Sequence, residues 1–190
     1  MVGDLKSKSV KGVIWSFVES ASTKVIQFVI SVIMARLLMP EDYGIVAIIF
    51  VFITISQVFI DGGFATTLIQ DKYKTERDYS TIFTFNVLLS VCCYLILFFA
   101  APYISSFYNN DVTLYLRVQS LGIIIFSFSA IHKVRMTVDV NFKAIAKVTV
   151  ISALFSGVVG IILAFKGGGV WALVGQYLTS AVVMTGMYTI

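Results

Sequence analysis

Charge is what this chain has least of. Charged residues make up 13% of the 190 residues, and hydrophobic ones 58%. Soluble domains ordinarily carry about 25% charged residues, so a soluble fold is excluded; the mean hydropathy of +0.94 agrees. There are two cysteines, Cys92 and Cys93, adjacent within an apolar run. Neighbouring cysteines are poorly placed for an unstrained mutual disulfide, so they read as small packing residues. One histidine and those two cysteines cannot build a metal cluster, so no metal site is expected. No GxSxG turn or phosphate-binding Gly-rich loop occurs. The chain also has only two prolines, Pro40 and Pro102, and each falls where an apolar run is expected to stop.

What remains is hydrocarbon in six runs of spanning length. They cover about 10–38, 43–69, 80–101, 112–131, 142–165 and 170–190. The fold class expected is all-α and integral to the membrane, a six-helix transmembrane bundle. Glu41 and Asp42 suit the N-terminus of the second helix. His132 to Asn141 reads as a polar linker, with His132 at the membrane interface. Lys166-Gly167-Gly168-Gly169 breaks the fifth run from the sixth. The basic start followed by apolar residues superficially resembles a signal peptide. Glu19 and Lys24 interrupt it, so a retained helix is expected. Loops are too short for a soluble domain, and no internal repeat is visible.

The basic residues orient the bundle. With the N-terminus inside, Lys6, Lys8, Lys11, Lys72, Lys74, Arg77, Lys133, Arg135, Lys143 and Lys147 lie on the inner flanks. Only Arg36, Arg117 and Lys166 lie outside, a ten-to-three asymmetry that predicts a cytoplasmic N-terminus. These basic residues mark a membrane surface and the lipids there, and no nucleic-acid partner is expected.

Polar residues inside the spans are the candidate site. Lys24 lies near the middle of the first span, where a charge costs roughly 2.5–3.5 kcal/mol on insertion scales. Ser16, Ser20, Lys24, Gln27 and Ser31 recur on one helical face, and Thr54, Gln57 and Asp61 do so in the second span. The two stripes predict a water-filled cavity, with Lys24, Asp61, Glu19, Gln27 and Gln57 as its candidate residues. By the rise of the helix, Asp61 would sit about 7–8 Å to the cytoplasmic side of its span's centre. There a long lysine could reach it, so a purely structural Lys24–Asp61 pair is the competing explanation. Asp61-Gly62-Gly63 is a place for a kink or a binding region. Ser152, Ser156 and Gly160 form a small-residue face expected to pack helices. Gln176, Ser180, Asn86 and Ser90 are expected to serve as polar packing, with a place facing the cavity as the alternative.

Several segments are similar to those of one known family. Ala35-Arg36-Leu37-Leu38-Met39-Pro40-Glu41-Asp42-Tyr43-Gly44 resembles the first-loop signature of bacterial polysaccharide flippases. Asp61-Gly62-Gly63-Phe64-Ala65 with Leu68-Ile69-Gln70 resembles the end of their second helix, and Leu116-Arg117-Val118-Gln119-Ser120-Leu121 the start of their fourth. Phe142-Lys143-Ala144-Ile145-Ala146-Lys147 and Gly169-Val170-Trp171-Ala172-Leu173-Val174 are similar to segments flanking the fifth and sixth. The resemblance is to the polysaccharide transporter (O-antigen flippase) branch of the multidrug/oligosaccharidyl-lipid/polysaccharide flippase superfamily. It implies a bacterial inner-membrane protein that is not an enzyme and needs no cofactor, with its coupling ion open. Such proteins move undecaprenyl-diphosphate-linked oligosaccharide units across the membrane by alternating access. Two six-helix lobes form a V around a central cavity; residues 1–190 correspond to the N-terminal lobe, and the second lobe is expected to follow in a longer protein. Partners implied are the lipid-linked oligosaccharide, membrane lipids, and glycan-assembly proteins such as a polysaccharide polymerase. Lys24 is the cation here that could meet the diphosphate. An ion-coupled multidrug exporter of the same superfamily and a non-transporting scaffold in a glycan-assembly complex are the alternatives.

Overall fold

A computed structural model describes residues 2–62, 76–108, 111–139 and 141–189, with side chains throughout except at 2–16, 18, 19 and 76. These residues form six helices: α1 (Val2–Leu37), α2 (Pro40–Asp61), α3 (Glu76–Tyr108), α4 (Thr113–Val138), α5 (Phe142–Phe165) and α6 (Val170–Thr189). Each contains a stretch long and apolar enough to cross a membrane. The six-helix bundle expected from the hydropathy pattern is therefore what the chain forms.

Local chemistry explains the helix starts. Pro40 opens α2, where a missing N–H costs nothing. The Asp42 carboxylate accepts a hydrogen bond from the Met39 N–H at 3.0 Å, closing the first turn. Asn141 caps α5, its Oδ1 accepting from the Ala144 N–H at 3.3 Å.

Three boundaries differ from the sequence expectation. The second helix ends at Asp61, where Gly62 takes a left-handed conformation (φ 34°) and its N–H returns to the Val58 carbonyl; the rest of the expected span, to 69, lies outside the described residues. Gly63 to Thr75, including the expected charged loop, lie outside the described residues. The third helix does not end near Pro102 but runs through it to Tyr108. Proline at 102 leaves the Phe98 carbonyl without its usual partner. The Arg117 Nε of α4 donates to that carbonyl at 3.2 Å, and the guanidinium lies 4.2 Å from the centre of the Phe98 ring. His132 to Val138 is the last two turns of α4, not a linker. Polarity there marks the exit from hydrocarbon, and Arg135 in the last turn suits the helix C-terminus.

The packing order is α1–α5–α6–α4–α3, with α2 laid against α3, α4 and α6. Ile30 nests on Gly157, and Met34 and Leu38 join Ala164 and Ala172, so α1 and α5 run parallel. Tyr115 meets Trp171 and Gly122 meets Tyr177, so α4 and α6 are parallel as well. The core between α2, α3 and α4 is built from Ile49, Ile53, Ile60, Leu97, Ala101, Leu116 and Ile123. No comparable interface joins α1 to α2, although they are neighbours in sequence.

Candidate functional site

The gap between α1 and α2 is the site. A cavity of about 430 Å³ opens there, floored by α5 and α6. Thr23, Gln27 and Ile30 line it from α1, and Val46 and Phe50 from α2. Thr149, Ser152, Ala153 and Ser156 come from α5, and Leu173, Gln176, Tyr177, Ser180 and Met184 from α6. The walls mix apolar side chains with neutral hydroxyls and amides, and no charged side chain is among the described lining residues.

Helix geometry puts these residues together. Thr23, Gln27 and Ile30 are spaced four and three apart, one face of α1. Ser152 and Ser156 do the same on α5, as do Gln176, Tyr177 and Ser180 on α6. Gly160 lets α6 come close: a Cβ there would stand 3.0 Å from the Gln176 Cβ and 3.1 Å from its Oε1. Gly157 plays the same part for Ile30, holding α1 against α5 just beside the cavity. At the loop end of the bundle, apolar clusters close over the cavity: Met34 and Leu38 with Ala164 and Ala172, and Val46 with Val170 and Val174. Above them Gly169, at φ +51°, sits 3.0 Å (as a Cβ would) from Asp42 Oδ1. The first loop and the glycine break before α6, both prominent in the sequence, thus meet each other.

Some wall hydroxyls are already engaged. Thr149 donates to the Ile145 carbonyl at 2.8 Å, and Ser156 to that of Ala153 at 3.2 Å. Others are not. Thr23 Oγ1, Ser152 Oγ and the Tyr177 hydroxyl are buried with no hydrogen-bond partner. Buried polar atoms are nearly always paired, so three idle hydroxyls around one cavity are a signal.

The five candidates from the sequence are distributed unevenly. Gln27 lines the cavity. Lys24 is exposed, about 60° around α1 from Gln27 at 100° per residue, on the face bordering the cavity. Gln57 is half-buried on the α2 face that carries Val46 and Phe50, but two turns beyond the cavity. Asp61 is exposed at the very end of α2. Glu19 belongs to α1, but its side chain lies outside the described residues. The Lys24–Asp61 contact does not form. From the shared loop end, Asp61 is deeper than Lys24 by about 12 Å at the helical rise, and α1 and α2 do not pack on each other.

Several lining residues escaped the sequence reading. Thr23 sits beside the lysine that drew attention. Ser152 and Ser156 had the appearance of packing residues, and Gln176 and Ser180 were expected to pack with the cavity as the alternative, yet all four border the cavity. Their signal was present as four-residue spacing, but spacing cannot say whether the neighbouring helix closes over them. Asn86 and Ser90 behave as expected: both are buried, and Ser90 Oγ meets Ser127 Oγ across α3 and α4 at 3.1 Å.

Residues 33–190 match the family model described as polysaccharide biosynthesis protein. The chain is 26% identical to the succinoglycan biosynthesis transport protein ExoT of Rhizobium meliloti, across 100% of this chain and 39% of that protein. It is 23% identical to the teichuronic acid biosynthesis protein TuaB of Bacillus subtilis, across 76% of this chain and 30% of that one. With the lipopolysaccharide biosynthesis protein WzxC of Escherichia coli, identity is 22% across 80% of this chain and 31% of the relative. The chain thus spans less than two-fifths of the length of these relatives. No solved structure matches.

Proposed function

Because the chain belongs to the polysaccharide biosynthesis protein family, we propose that this multi-pass membrane protein supplies the N-terminal transmembrane lobe of a transporter. The transporter moves undecaprenyl-diphosphate-linked oligosaccharide across the bacterial inner membrane for surface polysaccharide synthesis. A second lobe of at least six spans completes it. The N-terminus is cytoplasmic, following the basic asymmetry of the loops.

The observation that carries this reading is the cavity itself, with hydroxyls and amides set among apolar side chains within apolar spans, and closed at one end. A sugar diphosphate cannot enter hydrocarbon without losing its hydrogen bonds to water, at several kcal/mol per group. Hydroxyls and amides at depth replace those partners. Lys24 stands exposed beside the cavity face, where an ammonium offsets the charge of a diphosphate. The lipid tail stays in the bilayer while the headgroup passes, and rearrangement of the closed end exposes it to the other side. The chemistry is non-covalent throughout.

The test uses the full-length protein in membranes. Lys24→Ala should insert normally, since no packed partner is lost, and should abolish lipid-linked glycan translocation. Lys24→Arg should retain it. Normal translocation by an abundant Lys24→Ala protein would remove the cation from the mechanism. Competition by hydrophobic cations, with none by undecaprenyl-diphosphate sugars, would favour a multidrug exporter instead.

A further inference from the structure

We propose that the cavity between α1, α2, α5 and α6 is a neutral sugar subsite, separate from the place where the diphosphate is held. The inference rests on the transport reading above and assigns a ligand class to its cavity.

The argument begins with what the walls cannot bind. Among the described residues, no charged side chain lines the cavity. An anion or cation inside it would be desolvated without a counter-charge, which is strongly unfavourable. A purely apolar ligand fares little better, because it would leave the buried hydroxyls idle. Ser152 is 2% exposed and its Oγ has no partner. Thr23 Oγ1 and the Tyr177 hydroxyl are in the same condition. Each of these can donate and accept. Gln27 and Gln176 add amides with both functions at the same wall. An uncharged ligand dense in donors and acceptors satisfies this set, and a sugar ring is such a ligand.

The shape agrees. The volume of about 430 Å³ falls within the usual range of small-molecule sites, about 300–1,000 Å³. Apolar side chains, with the Phe50 ring among them, offer surfaces for the C–H faces of a sugar. Phe50 is held edge-on to Tyr177 at 5.7 Å. Gln176 is seated by the absence of a side chain at Gly160. Lys24 lies outside the cavity on the adjoining face of α1, so charge and hydroxyl recognition occupy neighbouring places without competing.

The experiment measures binding to the purified full-length protein in detergent. The probes are undecaprenyl diphosphate and its glucosyl, galactosyl and N-acetylglucosaminyl forms. At least one sugar-bearing lipid should bind about tenfold tighter than undecaprenyl diphosphate, the gain from one or two net hydrogen bonds. Ser152→Ala combined with Gln176→Leu should erase that preference while leaving undecaprenyl diphosphate affinity within about twofold. Gly160→Ala, which displaces Gln176 without removing a polar atom, should lower the preference several-fold and guards against misfolding of the double variant. Ser90→Ala, in α3, should change neither affinity. If no sugar-bearing lipid binds tighter, or if the preference survives both cavity variants, the subsite is wrong. If undecaprenyl diphosphate also fails to bind, the transport reading falls with it; if it binds without a sugar gain, only the subsite does.

Discussion

The α3–α4 hairpin and the α1–α5–α6 wall are built from the same materials and treat their polar residues in opposite ways. In the hairpin, Ser90 and Ser127 meet across the interface, and Arg117 takes the carbonyl that Pro102 leaves free. Polar atoms there close on one another. In the wall, Thr23, Ser152 and Tyr177 keep idle hydroxyls around a cavity. The hairpin has unpaired amide atoms too, on Asn86 and Gln119, but neither residue lines this cavity. The difference lies in the neighbouring helix. Where it closes, a serine is glue; where it stands off, as α2 does from α1, the same serine borders a cavity.

That contrast can be broken most sharply at Gly157. A leucine there would collide with Ile30 and separate α1 from α5. We expect a loss of about 2–3 kcal/mol, the usual cost of overpacking, read as a several-fold fall in membrane abundance. Adding Ile30→Ala should recover part of it. Unchanged abundance in Gly157→Leu would mean that the α1–α5 contact contributes little.

A somewhat smaller effect is expected at the proline break. Arg117→Ala should cost about 2 kcal/mol, because a hydrogen bond to a charged donor is lost and the Phe98 carbonyl is stranded. Melting in detergent would report it. In a Pro102→Ala background, the new N–H satisfies Phe98 and the Arg117→Ala penalty should shrink by half or more. Equal penalties in both backgrounds would show that the arginine acts elsewhere.

The direct comparison of serines comes last in size. Ser90→Ala removes a paired hydroxyl and should lower stability by about 1 kcal/mol. Ser152→Ala removes an unpaired one and should stay within about 0.5 kcal/mol of the unaltered protein, or exceed it. Melting temperatures of the two variants, measured side by side, should therefore separate. A Ser152→Ala protein as destabilised as Ser90→Ala would place Ser152 in packing after all.

Much of the bundle was legible without coordinates. The fifth span, 142–165, coincides with α5, and all six spans correspond to helices. Boundaries failed where helix and hydrocarbon part company. A helix leaving the bilayer turns polar without ending, as α4 does through His132–Val138, and a proline ends nothing when another side chain takes the freed carbonyl. The site was harder. Charge drew attention to Lys24 and Asp61, which the fold sets apart in depth. The quieter residues Thr23, Ser152 and Gln176 form the wall.

Sequence alone determined the solvent of this protein, its number of spans and the residues whose presence in hydrocarbon needs a reason. Those follow from composition and from the 3.6-residue period, which are local properties. Which helices touch was a tertiary decision. Nothing in the chain from 1 to 61 announces that α1 prefers α5 to its own neighbour α2. That choice depends on Gly157 admitting Ile30, a contact between residues more than a hundred positions apart; the α5–α6 contact likewise depends on Gly160 admitting Gln176. Close packing is a matter of mutual shape, and shape exists only once both surfaces are present.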